Sequence, residues 1–161
     1  MKQNIKIEIE RPLKELIIEV LQRIPVKLLS IGIYEAKWSD DADGEVDEEN
    51  NVLLNSKILN KGKNYAMGVI VHELAHRHLK HGYLSRNFKN KNRGGNEFDE
   101  MDADLLACDW GFKKEIRIAR KNYIKIFKEG FEKLEKNNHL PLKTKYKKKQ
   151  EKWFNILEEG R

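Results

Sequence analysis

The sequence predicts an α+β domain, with a short antiparallel sheet beside a core of two helices and further helices packed around it from both ends of the chain. Three patterns carry this reading. Two β-rich runs, 28–38 and 51–55, flank an acidic segment. An apolar helical pattern at 65–81 is followed, after a polar stretch, by a second from about 97 to 111. Amphipathic stripes occupy 12–23 and 113–136, and a last helical pattern covers 143–157.

Each element has a local cause. Apolar side chains at 13, 16, 17, 20 and 21 make one helical face, Pro12 suits the first turn, and Pro25 ends it. Leu28 to Trp38 is β-branched and aromatic around Gly32, and Val52-Leu53-Leu54 is a short apolar run bounded by asparagines, so the two are expected to pair across the acidic loop Ser39–Asn50. In that loop Asp41, Asp43 and Gly44 fit three positions of a calcium loop. Ser39 and Asn50 stand where its first ligand and its bidentate Glu are needed, which favours a solvated acidic turn. Tyr65 to His81 has helical period, with Gly82 placed as its stop. Residues 84–96, with Asn87, Asn90, Asn92 and Gly94-Gly95, read as a loop. Positions 116, 118, 123, 124, 126, 127, 131 and 134 continue a helical stripe up to Pro141.

A chain of 161 residues suits one domain, taken here as 1–140, with 141–161 as a basic C-terminal helix. The net charge of +6 is uneven: residues 113–161 hold 16 Lys and Arg against 7 acids, whereas residues 1–112 hold 16 against 19. Few aromatics stand in the basic segment for base stacking, so a solvated helical face is favoured over a nucleic-acid or acidic-partner contact. Trp153, Phe154 and Leu157 are its means of docking, and it contains none of the candidate ligands below, so its work is expected to lie outside them. No apolar run reaches the length of about 20 residues that crosses a bilayer. The N-terminus lacks the features of a secretory signal, which places the chain in the cytoplasm. Cys108 cannot form an internal disulfide and reads as a small apolar residue.

The chemistry gathers at His72-Glu73-Leu74-Ala75-His76, entered through Val69-Ile70-Val71. Histidines four apart on a helix lie about 40° apart, so both rings reach one ion. Two imidazoles and a carboxylate suit Zn2+ with a water in the fourth place, and Glu73 is placed to take that water's proton. The third ligand has several candidates. Glu100 and Asp104 share a helix face, so Glu100 can bind zinc while Asp104 accepts the other ring N–H of a liganding histidine. Glu97 and Asp99 compete, but neither has a carboxylate four residues on. His81 lies about 140° around the helix from His76 and would serve only if the helix broke before it, whereas His78 points away. Tyr83, His78 and His81 are candidate donors to a transition state.

The pair His-Glu-x-x-His and downstream Glu-x-x-Ala-Asp resembles the gluzincin class of zinc metallopeptidases, in particular HtpX-type proteases and the small ImmA/IrrE-type peptidases. The likeness covers roughly residues 50–112. It implies a zincin-like fold, a peptide or protein substrate, His72, His76 and Glu100 as zinc ligands, Glu73 as catalytic base, and Asp104 behind a ligand. In zincins an edge strand binds an extended peptide, and Val52 to Asn55 is the expected counterpart here. HtpX-type proteases carry membrane spans and this chain has none; the apolar Met-Pro-ending tail of the ImmA/IrrE type is replaced by Leu105-Leu106-Ala107-Cys108-Asp109-Trp110-Gly111-Phe112. The alternatives are a regulatory or nucleic-acid-associated binding protein with structural zinc, which requires a fourth protein ligand, and a zinc hydrolase of non-peptide bonds.

Overall fold

The computed structural model describes residues 5–25, 31–36, 42–81, 97–137 and 144–159. Four short strands form one sheet: β1 (Ile5–Glu8), β2 (Ile31–Glu35), β3 (Gly44–Val46) and β4 (Val52–Leu54), in the order β1-β2-β4-β3. Alternating apolar and charged residues in Ile5–Glu8 build a strand that the sequence reading did not assign.

The sheet is mixed, which corrects the expected antiparallel one. β1 pairs parallel with β2 and β2 pairs parallel with β4; β3 and β4 alone run antiparallel. Two connections cause this. Helix α1 (Leu13–Arg23) carries the chain back between β1 and β2, as a crossover between parallel strands requires. The acidic segment then spends three residues on β3, so β4 enters between β2 and β3 instead of folding straight back on β2.

Helix α1 buries Leu13, Leu16, Ile17 and Val20 and ends before Pro25, as its stripe predicts. After β4, Asn55 caps a 3-10 turn (Ser56–Lys61) by accepting from the Lys57 N–H at 3.0 Å. Gly62 then starts helix α2 (Lys63–His78), whose residues 66–76 are all buried. A helix wrapped on every side cannot be amphipathic, and α2 is the hub of the fold. Helices α3 (Glu97–Ala107) and α4 (Lys113–Arg120) pack on it, joined by a π-helical turn (Cys108–Phe112) with Gly111 at φ 94°. The expected helix up to Gly111 therefore ends at Ala107. At the α2–α4 crossing a β-carbon on Gly68 would strike the Glu115 carbonyl oxygen and approach the Ala119 side chain to 2.7 Å. Only glycine allows that approach.

The expected stripe from 113 to 136 is divided by a 3-10 turn (Lys121–Tyr123) between α4 and α5 (Ile124–Lys136). Helix α6 (Thr144–Glu158) docks through Trp153, Ile156 and Leu157, all buried, and Phe154, partly so. Trp153 lies against the rings of Phe127 and Phe131 at centroid distances of 4.8 and 6.0 Å. Among the described residues no helix is long and apolar enough to cross a membrane.

Candidate metal centre

Helix α2 turns the Nε2 atoms of His72 and His76 toward each other, 2.9 Å apart, on side chains that are almost wholly buried. Helix α3 brings Glu100 onto the pair: one carboxylate oxygen lies 3.2 Å from His72 Nε2 and the other 3.2 Å from His76 Nε2. Among the described residues these three form the group able to hold a metal ion. Donors about 2.0–2.1 Å from a tetrahedral ion stand about 3.3–3.4 Å from one another. The observed spacing is within a few tenths of an ångström of that, and two imidazoles with one carboxylate match a borderline-soft ion better than calcium, which takes oxygen ligands.

The outer ring nitrogens are also partnered. His72 Nδ1 lies 2.7 Å from Asp104 Oδ1, a fully buried carboxylate one turn beyond Glu100. With the proton on Nδ1 donated to Asp104, the Nε2 lone pair is free to face an ion. His81 lies with its Nδ1 2.7 Å from His76 Nδ1 and its Nε2 3.6 Å from Asp99 Oδ1. Helix α2 does break before His81, with Lys80 at φ 59°, but the ring reaches the back of His76 and is not in the ligand cluster. Asp99 is drawn to His81, and the Glu97 carboxylate lies beside Gly130. Exposed His78 lies edge-to-face with Trp110. Tyr83 lies outside the described residues.

Two supporting residues were not legible as such. Arg120, at the end of α4, donates from Nε to Asp104 Oδ2 at 3.1 Å and from Nη2 to Glu100 Oε2. The available signal was its position four residues after buried Ile116, where a charged group needs buried partners. Trp153 donates its indole N–H to the same Asp104 Oδ2 at 2.9 Å, so α6 reaches the centre that its sequence was expected to leave alone.

Glu73 lies on the cleft side of α2, opposite β3. A β-carbon on Gly44 would meet Glu73 Cγ at 2.8 Å, so glycine at 44 makes room for that side chain. This gives Gly44 a role that a calcium-loop pattern did not foresee. Asp43, the other calcium candidate described, is bonded to Lys61 Nζ at 2.9 Å and to the Tyr65 hydroxyl at 2.5 Å; Ser39 and Asp41 lie outside the described residues. Gly44, Glu45, Tyr65, Glu73, Asp99 and Glu100 help line a cleft of about 410 Å³, a size common to ligand sites.

The groups of the cluster shift one another's protonation. Burial and Arg120 push His72 down, but the carboxylates of Asp104 and Glu100 outweigh them and hold it up at about 9. Burial and neighbouring His72 push His76 down. Burial opposes ionisation of Glu100, yet His72, His76 and Arg120 keep it far below the usual carboxylate range. Burial raises Glu73 to about 7, the charge of His72 working against it and that of Glu100 with it. Cys108, half-buried, has its thiol pushed up to about 12 by burial first and then by Asp104 and Asp109, which leaves it a poor nucleophile.

A metal held by His72 Nε2 would have to displace a proton from that ring. Affinity should therefore rise with pH by up to about tenfold per unit until near pH 9 and level off above it. Calorimetric titration at pH 7.5 in two buffers of different ionisation enthalpy should register release of about one proton per metal bound. Comparison with family models, with curated proteins and with solved structures gives no match.

Proposed function

We propose that this chain is a zinc-dependent metallohydrolase, and specifically a gluzincin-type peptidase. The observation that carries the proposal is the convergence of His72, His76 and Glu100 at one point of a cleft whose wall also holds the buried Glu73 carboxyl. Zinc held there would supply Lewis-acid polarisation of a carbonyl and lower the pKa of a water. Glu73 takes the proton from the water as its oxygen attacks the carbonyl carbon, and delivers it to the amine nitrogen as the C–N bond breaks. Burial raises the proton affinity of Glu73, which favours a carboxyl that carries a proton between the two transfers.

Substrate placement follows from the sheet. The expected edge strand, Val52–Asn55, is corrected: β4 lies inside the sheet and β3 is the edge beside the cleft. An extended peptide would add to β3 alongside Gly44–Val46. Glu45 and Asp99 on the cleft wall make it acidic and favour substrates with Lys or Arg near the scissile bond.

The test is elemental analysis of the purified protein followed by a peptide library with and without chelator. About one zinc per chain and chelator-sensitive cleavage weighted to basic peptides are expected. Iron in place of zinc, or zinc with no cleavage of any peptide, would sink the peptidase reading. The second reading, a zinc-containing regulatory or nucleic-acid-associated binding protein, draws on the exposed Lys147 and Lys148 of α6. Against it, Lys149 is paired with Asp102 at 2.9 Å and Lys152 with Asp109 at 3.6 Å, which reduces the free charge on that face. Strong salt-dependent nucleic-acid binding would favour it.

A further inference from the structure

Asp104 takes three donors on two oxygens. Oδ1 faces His72 Nδ1, while Oδ2 receives both the Arg120 Nε–H and the Trp153 indole N–H. A guanidinium beside a carboxylate prefers to engage both oxygens at once. Here Arg120 engages one oxygen of Asp104 and one of Glu100, and the indole N–H occupies the second approach to Oδ2.

We propose that Trp153 is a positioning residue for the metal centre, and that helix α6 is thereby part of it. The inference rests on reading His72, His76 and Glu100 as a metal site. Trp153 is fully buried, and its ring is fixed by Phe127 at 4.8 Å, Phe154 at 5.1 Å and Phe131 at 6.0 Å. The indole N–H therefore approaches Asp104 from a set direction. Without it, the carboxylate is free to rotate toward Arg120 and take that side chain on both oxygens. His72 then loses the acceptor that orients its ring and holds the Nδ1 proton. Phenylalanine at 153 would fill nearly the same space among these rings, so the requirement for tryptophan lies in its N–H.

The experiment measures zinc affinity by chelator competition on the full chain, for wild type, Trp153→Phe, Ile156→Val, Asp104→Asn and the Trp153→Phe/Asp104→Asn double variant. Loss of a partner behind a metal ligand lowers affinity by about 10–100-fold. Trp153→Phe should lose at least about tenfold, whereas Ile156→Val, which trims one methylene from the docking face of α6 and keeps the indole N–H, should stay within about twofold of wild type. In the Asp104→Asn background, Trp153→Phe should add almost nothing, because its effect passes through Asp104. Equal affinities for wild type and Trp153→Phe, or the same further loss in both backgrounds, would overturn the proposal. Should Trp153→Phe not fold, the wild-type protein decides the matter by nuclear magnetic resonance. The Trp153 indole N–H signal should move in step with one equivalent of zinc, and a signal indifferent to zinc would overturn the inference. A wild type that binds no zinc would instead overturn the metal reading beneath it.

Discussion

Replacing Glu73 with Gln should leave zinc bound and lower peptide turnover by roughly 10²–10⁴-fold, the usual cost of removing a general acid-base group. The side chains are nearly isosteric, so the close contact with Gly44 is kept while the proton carrier is lost. A stability control separates loss of the proton carrier from loss of the fold. The folded-state pKa of Glu73, about 7, is raised above the unfolded value, so its contribution to stability is fully present below about 4.5 and is lost as pH rises through 7. Glutamine does not titrate. The metal-free Glu73→Gln protein should therefore melt higher than metal-free wild type at pH 8.5, and the gap should narrow toward pH 5. Undiminished turnover in a zinc-loaded Glu73→Gln protein would remove Glu73 from the mechanism.

Removing either histidine should have an effect of similar size on the metal itself. His72→Ala leaves two of three ligands and should weaken zinc binding well beyond the roughly 10–100-fold that loss of a supporting partner costs. Asp104 remains paired with Arg120 and Trp153, so the fold should survive at a temperature where binding can be measured. His76→Ala should behave alike. Glu100→Ala should also lose metal, and it deprives Arg120 of one of its two carboxylate acceptors. The comparison with His81→Ala is decisive for the ligand set. His81 lies behind His76, so its removal should cost no more than a supporting partner does. Zinc binding that survives Glu100→Ala but is lost in His81→Ala would exchange the two roles.

Much of the centre was legible because its parts are local. A four-residue spacing on a helix sets which side chains share a face, whatever the helix packs against, so His72 with His76 and Glu100 with Asp104 follow from period alone. Glu73 reaches the same cleft because it adjoins His72 in the sequence. Helices α1 and α6 were likewise visible, through the stripe and Pro25 of the one and the docking residues Trp153 and Leu157 of the other; α2 was visible as a helix but ends at His78, short of the expected His81, and its expected stop, Gly82, lies outside the described residues.

Tertiary structure decided what depends on direction and on distant contacts. An apolar run marks β4 as a strand but carries nothing about whether its neighbour runs parallel, so the sheet order had to await the path through α1 and β3. Choosing Glu100 over Glu97 and Asp99 required the relative position of α2 and α3, which the packing of α3 on α2 controls. Arg120 and Trp153 come to Asp104 from 16 and 49 residues away. Sequence marks them as a charge on a buried stripe and an aromatic anchor. Only folding supplies the buried carboxylate that both must satisfy, because the cost of leaving it unpaired arises once water has been excluded.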